Sequence, residues 1–148
     1  MQTINFNYFD YFFSSDKEIM QWDVIHNWLS NHSYWAQNIP YKKVKAAGKN
    51  SFPIGIFHAK AQIGYARIVT DYTSFGYLAD VFIIEEHRNK GLSKILLNCI
   101  LNLDWVRELK KFMLFTDDAH GLYQQFGFKS LDQPEKFLII SKSTPYEK

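Results

Sequence analysis

The stretch Tyr77-Leu78-Ala79-Asp80-Val81-Phe82-Ile83-Ile84, continued by Glu85-Glu86-His87-Arg88-Asn89-Lys90-Gly91-Leu92-Ser93-Lys94, decides the fold. Its first eight residues are almost continuously apolar, the pattern of a strand covered on both faces. A charged turn follows. From Leu92 the apolar residues Ile95, Leu96, Cys99, Ile100 and Leu103 fall on one stripe at helical spacing, which predicts an amphipathic helix. The unit is therefore a buried strand, a loop and a helix. Backbone N–H groups at a helix start lack intrahelical partners and, with the helix dipole, suit a phosphate. Gly91 lets backbone approach a bulky pyrophosphate, and Arg88, Lys90 and Lys94 add positive charge around it. The competing reading is a solvated charged turn with a glycine for geometry.

Working outward, residues 6–13 are dense in aromatics and predict a first strand. Met20, Val24, Ile25, Trp28 and Leu29 have helical spacing, with Asp16 or Asp23 as the cap. Pro40 suits the first turn of a second helix that runs to about Lys49. Residues 52–58 and 61–69 read as strands and residues 70–74 as a loop. Downstream, residues 112–115 predict a strand and 119–126 a short helix stopped by Gly127. Residues 128–131 and 137–141 predict closing strands. Strands that meander, interrupted by helices, give an α/β (α+β) domain around one sheet.

With 148 residues the chain is expected to form a single domain, 1–148, because two would leave each too little core. Aromatics reach 18 %, too much ring area for a disordered chain. The net charge of +2, without a basic stripe, argues against a nucleic-acid partner. A nucleic-acid-binding domain with an aromatic sheet is thereby disfavoured. One cysteine, Cys99, excludes an internal disulfide and any multi-cysteine metal site, and no metal is expected. Cys99 itself falls on the core face of its helix. Met1-Gln2-Thr3-Ile4-Asn5-Phe6 carries no basic start before an apolar run, so no signal peptide is expected. No apolar run approaches the roughly 18 residues of a bilayer span, so no membrane partner is expected either. A cytoplasmic location fits these features.

Two motifs resemble a known family. Arg88-Asn89-Lys90-Gly91-Leu92-Ser93, after a buried strand, is similar to the acyl-CoA signature of the GCN5-related N-acetyltransferases (GNAT), with Ser93 in place of the usual last glycine or alanine. Ala119-His120-Gly121-Leu122-Tyr123-Gln124-Gln125-Phe126-Gly127-Phe128 resembles the family's second signature, and the two occur in the family's order. The resemblance is strong over residues 52–128. Before that, Trp28-Leu29-Ser30 and Ser33-Tyr34-Trp35-Ala36 look like substrate-side helices. It implies a mixed, mostly antiparallel sheet flanked by helices, with central strands that splay apart. It implies acetyl-CoA as co-substrate and an amine as acceptor, and a homodimer is compatible with it. The pyrophosphate would meet the backbone of Asn89, Lys90, Gly91, Leu92, Ser93 and Lys94. The pantetheine arm would pair like a strand with Val81, Phe82, Ile83 and Ile84. Thr116 and Asp117 stand where the family usually has an asparagine.

Tyr123 stands where the family often carries its general acid. The leaving thiolate must gain a proton, and a phenol near about pH 10 can supply it. A helix start close by would lower that value. The alternative is a tyrosine packed under the last strands. Asp80 sits in an otherwise apolar strand, sharing a face with Phe82 and Ile84 by alternation. A buried carboxylate needs a partner or a wet cleft. Asp80 could receive the proton of the attacking ammonium, a reading that a resemblance to polyamine acetyltransferases supports. It could equally be an ion pair with Arg67. His120, three residues before Tyr123, is the other candidate base. Tyr34, Trp35, Asp71 and Tyr72 are candidates for the acceptor wall, where aromatics suit a cation. A non-catalytic acyl-CoA sensor of the same fold is the second function compatible with these motifs.

Overall fold

The computed structural model describes residues 1–142, 146 and 147. The chain opens on a hairpin, β1 (Asn5–Tyr8) and β2 (Tyr11–Ser14). The aromatic run read as one strand is thus two. Phe9, at φ 51 and 86 % exposed, turns the chain back so that Phe6 and Phe13 stack at 4.8 Å. Asp16 caps only the short turn Lys17–Ile19, accepting from Glu18 N, and Asp23 lies in the first turn of the next helix. That helix is α1 (Trp22–His32), followed by α2 (Tyr41–Lys49), with Pro40 at its entrance. Strands β3 (Phe52–His58), β4 (Ala61–Thr70) and β5 (Phe75–Ile83) then meander. The amphipathic stripe forms α3 (Leu92–Leu101), and a separate short helix α4 (Asp104–Arg107) takes over beyond it. β6 (Lys111–Leu114) and α5 (His120–Gln124) complete the regular elements that position the site.

The strands form one sheet in the order β1-β2-β3-β4-β5-β6, antiparallel except for the β5–β6 pair. Both faces are covered, which is why β3 reads as a continuous apolar run. On one face α3 and α4 bury Leu92, Leu96, Leu97, Ile100 and Trp105 against Ile54, Ile68 and Leu78. On the other, α1 and α2 bury Trp22, Ile25, Leu29 and Val44 against Phe57, Tyr65 and Phe82. Each fully buried aliphatic or aromatic side chain contributes about 1.5–3 kcal/mol relative to exposure.

Residues 128–131 and 137–141 do not form the closing strands expected of them. Residues 128–131 run as irregular chain, a turn at Pro134–Lys136 follows, and Leu138, Ile139 and Ile140 project into solvent. Their composition favours strand, but a strand needs a paired neighbour, and these residues have none in the sheet.

Two features of β5 shape the interior. Its pairing with β6 covers only residues 75–78, so from Ala79 onward the two strands diverge and that edge of β5 lies open. Its register with β4 also shifts between Tyr65 and Arg67, with Asp80 at φ 56. Such a bulge inserts an extra residue and re-aims a side chain. Here Leu78 and Val81 face the α3 side, whereas Asp80 reaches Arg67 and Trp35, and Phe82 packs under α1. Strict alternation would have put Asp80 beside Leu78 in the α3-side core.

Candidate active site

Where β5 and β6 part, a cavity of about 540 Å³ opens through the sheet. From the α1 side it is lined by Tyr34, Trp35, Arg67, Tyr77 and Asp80, and from the other by Leu114, Thr116, Asp117, Ala119 and Tyr123. The splay is what lets side chains from both faces meet.

Asp80 is bound on both oxygens. Arg67 Nε donates to Oδ2 at 2.6 Å and Trp35 Nε1 donates to Oδ1 at 2.8 Å. Arg67 is fixed in turn, Nη1 donating to Ser51 Oγ at 3.1 Å. The pair is mostly shielded, 19 % and 14 % exposed at the side chains. Of the two readings of Asp80, the ion pair with Arg67 is present, and the carboxylate also lines the cavity.

The segment after α1 closes one wall. Tyr34 Oη accepts from Asp117 N at 3.2 Å, tying this segment to the chain beyond β6. Trp35 lies edge-on to Tyr34 and 5.8 Å from Trp28, which stacks on Phe82 at 4.3 Å. Tyr34 and Trp35 stay half exposed, so their rings face the opening rather than the core. The sequence places Trp28 on the substrate side and offers Arg67 as the partner of Asp80; what it does not show is that Trp35 binds the same carboxylate.

Tyr123 is held by α5 and packs edge-on against Phe128. Burial, then the nearby Asp118 and Tyr34, push its phenol above the ordinary value. The lowering expected from the helix start is overturned, because desolvation of the anion outweighs the field of a five-residue helix. His120, on the same helix, does not line this cavity; it lines a neighbouring depression that shares Leu114, Phe115, Thr116 and Tyr123 with it.

Asp71 and Tyr72 are also outside it. Asp71 closes the β4–β5 turn, accepting from Ser74 Oγ and from the amides of Thr73, Ser74 and Phe75. Those bonds, the Ser74 hydroxyl first, hold its carboxyl well below the usual range. Tyr72 packs on Phe52 and Trp105.

The loop before α3 sits at the other end of the open β5 edge. Asn89 and Gly91 adopt φ 62 and φ 76, and no side chain caps the helix. A Cβ at Gly91 would meet nothing within 4 Å, so no protein neighbour requires a glycine there. The left-handed backbone accounts for it. Arg88 Nε donates to Ile83 O at 2.9 Å, which folds its side chain back along the strand end. Lys90 and Lys94 have no ion-pair partner among the described residues. Leu92, Phe82 and Ile83 are buried, so they can offer a ligand only backbone. An elongated anionic ligand fits this sequence of surfaces: uncapped helix amides, an open strand edge, then the cavity. Among the described residues no cluster of metal-ligating side chains occurs.

Comparison with known proteins agrees with this arrangement. Residues 10–128 match the acetyltransferase (GNAT) family. A crystal structure of a GNAT-family protein from Xanthomonas campestris pv. campestris is 35 % identical and superposes with a TM-score of 0.85, covering 91 % of this chain and 94 % of its own. A Gibberella zeae protein named "Putative acetyltransferase" is 29 % identical over 142 residues, 81 % of this chain and 80 % of its own. A Clostridium acetobutylicum structure described as a predicted acetyltransferase with acetyl-CoA shares 15 % identity at a TM-score of 0.65, covering 88 % and 94 %, and so shares the fold.

Proposed function

The chain belongs to the acetyltransferase (GNAT) family, and from that premise we propose that it moves an acetyl group from acetyl-CoA to a primary amine that is cationic before it reacts. One observation carries the reading: β5 loses its β6 partner after residue 78, so an open strand edge runs from the Gly91 loop to the cavity holding Tyr123.

In this reading the amides of Leu92, Ser93 and Lys94 hold the pyrophosphate, with Lys90 and Lys94 nearby. The free edge of Val81, Phe82, Ile83 and Ile84 pairs with the pantetheine amides. Thr116 and Asp117 border the opposite side. Bound there, acetyl-CoA supplies an activated acyl thioester, aligned by its two ends. The half-exposed rings of Tyr34 and Trp35 and the carboxylate of Asp80 receive the ammonium. Asp80 accepts its proton, freeing the nitrogen lone pair to attack the thioester carbonyl. The C–N bond forms, the C–S bond breaks, Tyr123 protonates the departing thiolate, and the second proton that the new amide nitrogen sheds restores the phenol. Asp80 lines the cavity and His120 does not, which supports giving the base role to Asp80.

The raised Tyr123 phenol keeps its proton throughout the neutral range, as a donor must. The Arg67 partnership fixes the Asp80 carboxylate in direction. A cytoplasmic setting remains the reading that the single cysteine supports. The test is acetyl-CoA consumption against a panel of amines, polyamines, amino acids and peptides. Turnover with at least one class is expected; binding of acetyl-CoA without turnover on any of them would favour the sensor instead.

A further inference from the structure

We propose that Trp35 is the residue the acceptor displaces: its indole N–H holds the place at Asp80 Oδ1 that the acceptor's ammonium N–H takes over. The proposal rests on Asp80 as the seat of the amine and adds what guards that seat.

The carboxylate is already occupied. Trp35 Nε1 donates to Oδ1 at 2.8 Å and Arg67 Nε donates to Oδ2 at 2.6 Å, so each oxygen has a donor. A carboxylate offers about four lone-pair positions, so count alone does not exclude a third donor. Room does. Only 14 % of the Asp80 side chain is exposed, whereas an ammonium must come within about 2.7–2.9 Å of the oxygen and brings its alkyl chain with it. One donor has to leave before the amine is seated.

The two donors are not equally free to leave. Arg67 lies on β4, carries a full charge, and is held from behind by Ser51 Oγ at 3.1 Å. Its departure would strand two shielded charges. Trp35 is neutral, 40 % exposed, and projects from the irregular chain between α1 and α2. That chain is fixed without it: Ser33 Oγ donates to Leu29 O at 2.6 Å, Ala36 N donates to Ser33 Oγ at 3.0 Å, and Asn38 N donates to Ser30 O at 3.1 Å. The ring can therefore turn about its own side-chain bonds while the backbone stays. An ammonium also brings the charge that the indole lacks, and charge strengthens its bond to the carboxylate.

The displaced ring keeps its company. Trp28, flat on Phe82 at 4.3 Å, lies 5.8 Å from Trp35, and Tyr34 stands edge-on to it at 5.0 Å. An indole leaving Oδ1 stays beside these rings and turns its face to the cation that displaced it. Trp35 thus changes from N–H donor to π partner as the amine binds. Amine affinity is lowered by the share of time the indole holds the carboxylate, so Trp35 sets the affinity of the site.

The test follows the indole Nε1–H signals of the four tryptophans by proton–nitrogen NMR in the full chain, with n-butylammonium as the probe and n-butanol as its uncharged counterpart. The signal missing from Trp35→Phe assigns Trp35. Butylammonium should move that signal upfield, as a bond to a carboxylate is lost, and further than it moves any other; butanol should leave it in place. Trp35→Phe keeps a ring and loses the donor, so it should bind butylammonium roughly tenfold tighter by calorimetry. A Trp35 that only shaped the wall would give weaker binding instead. Asp80→Asn separates this proposal from the reading it rests on. Binding unchanged in Asp80→Asn, or absent from both wild type and Trp35→Phe, would overturn the amine seat and the displacement together. Binding lost in Asp80→Asn, with the Trp35 signal unmoved at saturation or Trp35→Phe no tighter than wild type, would overturn the displacement and leave the seat standing.

Discussion

Arg67 Nε donates to Asp80 Oδ2 at 2.6 Å, from a strand position that faces Ala79 rather than Asp80. The bulge at Asp80 makes this diagonal contact, and it leaves the carboxylate at once in an ion pair and on the cavity wall. The ion pair and the proposed chemical role therefore fall on one side chain, and they can be separated by mutation.

Asp80→Asn and Arg67→Gln should each lower the melting temperature, since each strands a largely shielded partner. Breaking a fully buried pair costs about 3–5 kcal/mol; the residual exposure here puts the loss nearer 1–3 kcal/mol. The double variant should recover part of it. Turnover divides the two: Asp80→Asn should lose it and weaken the amine, whereas Arg67→Gln should keep a measurable rate. Equal turnover losses in both would confine Asp80 to the ion pair.

Tyr123→Phe removes the proton donor and keeps the ring. Turnover should fall roughly 10- to 1000-fold, with acetyl-CoA affinity nearly unchanged by calorimetry. Because burial raises the phenol, the wild-type rate should show no loss attributable to Tyr123 below about pH 10. A variant within about twofold of wild type, with chemistry limiting, would make Tyr123 a packing residue.

Gly91→Ala should weaken acetyl-CoA by about tenfold or more, since the added methyl would stand in open space at the residue that leads into α3. The φ of 76 makes alanine strained, at about 1–2 kcal/mol. Gly127→Ala supplies the matched control: its φ is 96 and its Cβ would also meet nothing. Equal stability losses with affinity lost only at Gly91 are the expected pattern. Equal affinity in both would remove the loop from the binding site.

Tyr65, Tyr72, Tyr77 and Tyr123 are all raised, first by burial. Their neutral forms are favoured by folding. The associated stability is complete below the unfolded value near about 10 and declines as pH rises toward the folded values, where the unfolded chain has already released its protons. Alkaline titration should show these tyrosinates emerging together with loss of near-ultraviolet circular dichroism. Their ionisation near pH 10 in a fully folded chain would contradict the burial.

The sequence made the β5–loop–α3 unit legible because two independent periodicities meet at Gly91. It also offered Arg67 as a partner of Asp80, though neither Trp35 nor the bulge that aims the carboxylate: nothing in Ala79-Asp80-Val81 marks an extra residue. The hairpin at Phe9 was hidden because its turn lacks glycine, and aromatics run through it. Residues 137–141 were read as a closing strand from composition. Composition states that a segment wants a sheet edge, and leaves open which one. Asp71 and Tyr72 were placed by character alone, and their side chains serve the turn and the α4-side core instead.

The most direct measurement is mass spectrometry of the purified chain's reaction with acetyl-CoA and a mixture of primary amines, polyamines, amino acids and peptides, beside Tyr123→Phe. The account predicts an N-acetylated product from at least one amine, formed with matching release of free thiol and strongly reduced in the variant. Tight acetyl-CoA binding with no acetylated product from any amine, or equal product from wild type and variant, would contradict it.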